Sequence, residues 1–274
     1  MEMMTRRLWN LKKLRNRCSS CKPTLLSRPY PRSANKPRSS ANRPRSSTTN
    51  PHSSPADVRP WSSGWDALVQ GGVQEIAQVR EELTFTCKQT EHSRGDFPAV
   101  TVGAAHRGGR KEPGNIWQSN PAALAVLTTL LAMHFFQSLA GFANCIFKAY
   151  LFHTYQYYSK CLDGIYSWKP DLQCHYFKTS VFGTCTVNFG PRMASRPHRD
   201  SANLAFGWCA ITALGNFNPN KGGHLILWDL GLALRFSPGS TILIPSTLIK
   251  HSNIPIQNRE TQYSFVQYSA AGLF

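Results

Sequence analysis

The sequence predicts an α+β chain in which a helical half precedes a compact β half. Residues 121 to 168 run as apolar and aromatic stretches of helical length, such as "YLFHTYQYYSKCLDGIYSW". From residue 180 onward, short strand-like runs alternate with Gly, Pro and Asn, a pattern that argues for a sandwich or small barrel rather than βαβ units. The charge is uneven as well. Residues 1 to 60 hold fourteen Lys or Arg against Glu2 and Asp57, so they carry +12 of the formal +17.

Taken in order, residues 1 to 60 form a basic tail containing "SANKPRSSANRPRSS". Pro, Ser and Arg at this density bury too little apolar surface to offset chain entropy, which predicts disorder. Such a tail suits sequence-independent phosphate binding and nuclear import. Its first residues, "MEMMTRRLWNLKKLRNR", are Arg-rich and acid-poor and equally suit a mitochondrial presequence. Residues 61 to 179 form the helical and flanking part. There, 61 to 120 mix short apolar runs with turn signals and one strand, Ala99 to Gly103, and helices follow from 121. Residues 180 to 274 form the β core, with strand-like runs at 180–190, 207–215, 222–230, 232–246, 250–256 and 261–269.

The run "AALAVLTTLLAMHFFQSLAGFANCIF" (122–147) is long enough to cross a bilayer. His134, Gln137, Ser138 and Asn144 interrupt it, so it reads as a buried helix or helix pair covering a sheet, with no membrane span. No secretory leader precedes the eight scattered cysteines, which predicts reduced thiols. Cys18 and Cys21 make a lone CxxC without a second pair.

The β core contains a candidate metal site. His198 and Asp200 stand two apart where a loop enters a strand, so both side chains can share a face. His251 opens another strand, 51 residues after Asp200. Two imidazoles and a carboxylate on one face leave coordination positions open, as in the facial triad of non-haem Fe(II) oxygenases. His224, which follows Gly222-Gly223 and opens an apolar strand, is the nearest rival and better fits a structural or supporting role.

The stretch from "CTVNFGPRMASRPHRD" through "FGWCAITALGNF", "KGGHLILWDL" and "PGSTILIPS" to "HSNIPIQ" resembles the fungal, transposon-associated TET/JBP-like Fe(II)/2-oxoglutarate dioxygenases. "RGDFPAVTVGAAHRGGRKEPGN" and "LAGFANCIFKAYLFHTYQYY" extend the resemblance to about residues 90 to 274. It implies a double-stranded β-helix core (jelly-roll, cupin-like) with flanking N-terminal helices. It also implies Fe(II) on His198, Asp200 and His251, 2-oxoglutarate as co-substrate, dioxygen as oxidant and 5-methylcytosine in DNA as substrate. Asn188, Gln262 and Ser264 are the residues expected about the co-substrate, with Arg259 as a candidate substitute for the charge missing at 262.

The chain departs from that pattern where the group has Arg-Tyr-Ser on the last core strand, for it reads Gln262-Tyr263-Ser264. Gln carries no charge, and a bidentate Arg–carboxylate pair is much stronger. Three outcomes stay open: Arg259 reaching in from the preceding turn, a weakened co-substrate site, or a degenerate copy retaining only nucleic-acid binding. The stop at "AAGLF", where the group continues, and the apolar 122–136 segment fit the last of these. Hydroxylation of a protein side chain is the further alternative within the same fold.

Overall fold

The computed structural model describes residue 60 and residues 64–106, 109–116, 121–172, 176–178 and 180–274. The readings made for the basic tail and its CxxC lie outside these residues. A six-stranded antiparallel sheet runs in the order β4-β3-β5-β11-β6-β9. Its strands are β3 (Ala99–Ala105), β4 (Gly114–Asn115), β5 (Thr184–Asn188), β6 (Cys209–Asn216), β9 (Thr241–Ile244) and β11 (Thr261–Tyr268). A three-stranded sheet, β10-β7-β8, is built from β7 (Leu225–Leu227), β8 (Leu232–Leu234) and β10 (His251–Asn253). A short hairpin of β1 (Glu91–His92) and β2 (Gly95–Asp96) precedes β3.

Alternation along each strand divides the large sheet into two faces. On β11, Tyr263 and Phe265 point at the helices and pack with Val100, Val102, Val187 and Leu214 from neighbouring strands. The opposite face of β6, with Cys209, Ile211 and Ala213, meets Leu225, Leu227 and Leu234 of the small sheet. Gln262 and Ser264 belong to this second face, because Ser264 lies directly opposite Ala213.

The helical layer consists of α1 (Trp65–Glu82), the single turn α2 (Cys87–Thr90), α3 (Pro121–Ala132), α4 (His134–Tyr150) and α5 (Phe152–Trp168). Residues 122–147 are a helix pair bent by 66°, and no single helix among the described residues is long and apolar enough to cross a membrane. The apolar content is used within the fold. Leu127, Leu130, Leu131, Phe136 and Leu139 are at most 1% exposed, and the Phe136 ring meets Phe265 edge-on at 5.1 Å. The described cysteines, Cys87, Cys145, Cys161, Cys185 and Cys209, are free.

Helix α1 stands where only apolar runs and turn signals were expected. It contains the paired glycines Gly71 and Gly72, and Trp65, Val69, Gly72 and Ile76 are buried at helical spacing. Gly72 is small for a reason of packing, since a Cβ there would run into the Phe135 ring. The indole N–H of Trp65 donates to Gly239 O at 3.0 Å and ties α1 to the turn before β9.

Candidate metal centre

Residues 192 to 200 cross from the large sheet to the small one, with a backbone contact at each stage. Arg192 bridges to Gln262, and His198 bridges antiparallel to His251. The Asp200 N–H donates to Ser246 O at 3.0 Å. The two histidines exchange both backbone bonds, His198 N–H to His251 O at 3.0 Å and the reverse at 2.9 Å. Residues directly opposed in this way project to the same side, and the two rings lie 4.3 Å apart.

Asp200 completes the set. Its Oδ1 is 3.7 Å from His198 Nε2 and its Oδ2 is 4.0 Å from His251 Nε2. Neither distance is a hydrogen bond. The three groups converge without satisfying one another, and one ligand atom from each lies within 4.8 Å of the others. No other cluster of His, Cys, Asp or Glu of this kind occurs among the described residues.

Both imidazoles are oriented by the backbone. His198 Nδ1 stands 2.8 Å from Arg196 O, and His251 Nδ1 stands 2.9 Å from Ile249 O. A carbonyl can only accept, so each Nδ1 carries the proton and each Nε2 turns a lone pair to the centre. Burial, with the neighbouring His251 ring, holds His198 below the ordinary imidazole range, which favours the neutral, ligating form. Two imidazoles and one carboxylate suit a divalent first-row metal and leave one side open for other ligands. The residues present therefore fit Fe(II).

A tie on the outside supports this geometry. Arg199, between the two proximal ligands, donates from Nη2 to both Asp229 oxygens at 2.9 and 3.0 Å, and from Nε to Leu248 O at 3.1 Å. Asp229 also accepts the Lys250 N–H at 2.6 Å, one residue before His251. That N–H and the Arg199 guanidinium hold the Asp229 carboxyl below its usual range.

Of the residues expected about the co-substrate, three come together. Asn188 Nδ2 donates to Ser264 Oγ at 2.7 Å across paired strands, and Gln262 is two residues along the same face. Gln262 is 1% exposed and Asn188 4%, and the amide oxygen of each is buried without a hydrogen-bond partner. Arg259 lies elsewhere, exposed in the turn before β11 with φ 65°. His224 is outside the metal cluster, and its carbonyl accepts the Ile254 N–H.

Three contributors escaped the sequence reading. Asn253, two residues after His251, accepts the Ser195 N–H and hydroxyl at 2.9 and 2.6 Å and anchors the segment leading to His198. Its period-two relation to His251 in "HSN" was the available signal. Asp229 had none, because its partners are distant in sequence. Arg94, in the β1–β2 turn, accepts the Arg196 N–H on its carbonyl, and its charge acts on His198.

No protein-family model matches the sequence, and no curated protein matches it. Among solved structures, it is similar to NgTET1 in complex with 5mC DNA, at 15% identity over 73% of this chain and 68% of that one, with a TM-score of 0.51. It also aligns with an oxidoreductase of the 2OG-Fe(II) oxygenase family from Burkholderia pseudomallei, at 16% identity over 72% and 77% of the two chains and a TM-score of 0.39. At such identity the likeness is one of architecture: the chain has an α+β fold with a double-stranded β-helix core and flanking helices.

Proposed function

We propose that this chain is an Fe(II)- and 2-oxoglutarate-dependent dioxygenase that oxidises a methylated nucleobase, 5-methylcytosine in DNA. The convergence of His198 Nε2, Asp200 and His251 Nε2, unsatisfied by one another inside a double-stranded β-helix, carries the reading. When bound, iron and 2-oxo acid supply oxidation of a C–H bond by dioxygen, coupled to loss of CO2 from the 2-oxo acid.

The protein's own part is binding, orientation and exclusion of water. His198 and His251 would hold the metal through Nε2, with each Nδ1–H fixed on a carbonyl, and Asp200 would offset part of its charge. Asn188, Ser264 and Gln262 line the interior where the far end of the co-substrate would lie. Leu225, Leu227 and Ala213 keep the space between the sheets apolar.

The nucleic-acid substrate is supported by the fold shared with a 5mC DNA complex and by charge. Arg94 lies beside the ligand-bearing segment, where its carbonyl accepts the Arg196 N–H, and residues 1 to 60 add +12. Such charge favours phosphates. A base within a duplex would have to be turned out of the stack to reach the metal. The reading carries a nuclear location with it.

Anaerobic Fe(II) titration is expected to saturate at one metal per chain and to lose that uptake in His198→Ala. Mass spectrometry of methylated DNA after incubation with Fe(II), 2-oxoglutarate and air is expected to show oxidised cytosine. Succinate release without oxidised cytosine would shift the substrate to a protein side chain. The neutral Gln262 favours one other reading, a nucleic-acid-binding copy with little turnover, and metal uptake without CO2 release from 2-oxoglutarate or its C5-amide would support it.

A further inference from the structure

Resting on the metal reading above, we infer that the co-substrate pocket is built for a 2-oxo acid whose far end is uncharged and hydrogen-bonding, an amide being the closest match. Gln262, Ser264 and Asn188 lie on adjacent strands and face the same interior as the small sheet's core. Asn188 and Ser264 bond only to each other, and Gln262 Oε1 and Asn188 Oδ1 are buried with no partner. Two buried, unpartnered amide oxygens are costly unless a ligand supplies donors.

A carboxylate can only accept hydrogen bonds, whereas an amide both donates and accepts. Each protein amide can present its oxygen or, turned over, its NH2 to a ligand. A ligand amide therefore pairs in either orientation, and a carboxylate pairs in one.

Charge points the same way. Among the described residues no guanidinium is bonded to this group: Arg80 Nε donates to Gly190 O at 3.4 Å, and Arg192, which keeps its charge, donates to Asn258 Oδ1 at 3.1 Å and Ile256 O at 3.4 Å. Arg259 is exposed in the turn. The distal carboxylate of a dianion entering here would face the uncharged Gln262, Ser264 and Asn188 side chains, and a buried charge without a bonded partner is unfavourable.

Binding rather than turnover tests this. The full chain is loaded with Fe(II) under nitrogen, metal uptake is measured, and calorimetric titrations follow with 2-oxoglutarate, its C5-amide and 2-oxopentanoate. The C5-amide is expected to bind at least as tightly as 2-oxoglutarate, and the apolar acid about tenfold more weakly, the loss of roughly one net hydrogen bond. Gln262→Arg is expected to reverse the order, favouring 2-oxoglutarate by about tenfold or more through a charge-assisted pair. A tenfold preference of the unmodified chain for 2-oxoglutarate, with normal metal uptake, would overturn this inference alone. Absence of metal uptake would overturn the functional reading beneath it. The comparison in the unmodified chain stands even if Gln262→Arg fails to fold.

Discussion

Asp229 is bound by Arg199 through both carboxylate oxygens, at 2.9 and 3.0 Å, and the same carboxylate receives the Lys250 N–H at 2.6 Å. Arg199 stands between His198 and Asp200, and Lys250 precedes His251. One exposed carboxylate thus fastens together the two segments that bring the ligands to a common point. Asp229→Ala is expected to weaken Fe(II) binding about tenfold, in the range typical of groups that orient metal ligands. Melting temperature should change little, because the pair is at the surface. Competition against a chelator of known affinity measures the first and thermal denaturation the second. An unchanged metal affinity would mean that the two segments hold their geometry without the tie.

Removing a ligand should act differently. Asp200→Ala is expected to abolish metal uptake and leave the fold intact, since the Asp200 backbone N–H keeps its bond to Ser246 O. Circular dichroism of the variant should overlay that of the parent chain. Retention of stoichiometric Fe(II) would refute the assignment of Asp200.

Asn253→Ala removes the acceptor for both the N–H and the hydroxyl of Ser195. Partly buried donors left without partners cost about 1–3 kcal/mol. The loosened segment leads directly to His198, so stability and metal affinity should both fall, a double effect that Asp229→Ala should not show. Denaturant unfolding beside metal titration separates the two variants.

Gly72 sets two effects against each other. In an exposed helix interior, Gly→Ala stabilises by about 1 kcal/mol. Here the added methyl would overlap the Phe135 ring, and overpacking costs about 1–3 kcal/mol. Gly72→Ala is therefore expected to destabilise the chain on balance. A raised melting temperature would show that the α1–α4 contact yields easily.

The core should also be sensitive at Phe136, fully buried against Phe265. Phe136→Ala is expected to cost about 3–5 kcal/mol while leaving the metal stoichiometry of the folded fraction unchanged. Chemical denaturation and metal analysis of the same sample check both.

The β half was legible because strand signals are local. The run at 261–269 contains β11, the run at 207–215 covers β6 up to its last residue, Asn216, and the turn residues between runs mark where strands stop. Residues 232–246 yielded two short strands, β8 and β9, because Pro238 and Gly239 turn the chain between them. The run at 222–230 gave a three-residue strand followed by a 3-10 turn at Trp228–Leu230. Helix α1 was obscured because a glycine pair is a breaker by local propensity and a packing necessity only when Phe135 is known to lie against it.

The same division holds at the site. Residue type and spacing single out His198, Asp200 and His251, because ligand chemistry belongs to the side chain and the two-residue step from His198 to Asp200 belongs to the backbone. Their convergence follows from the bridge between His198 and His251, and the proton on each Nδ1 follows from carbonyls that only the folded backbone places. Gln262 was visible in the sequence as a missing charge. Folding makes it a buried amide beside Asn188 and Ser264 and leaves Arg259 outside in the turn. Composition and spacing are properties of the chain as written, whereas burial and hydrogen-bond satisfaction depend on what distant segments bring alongside.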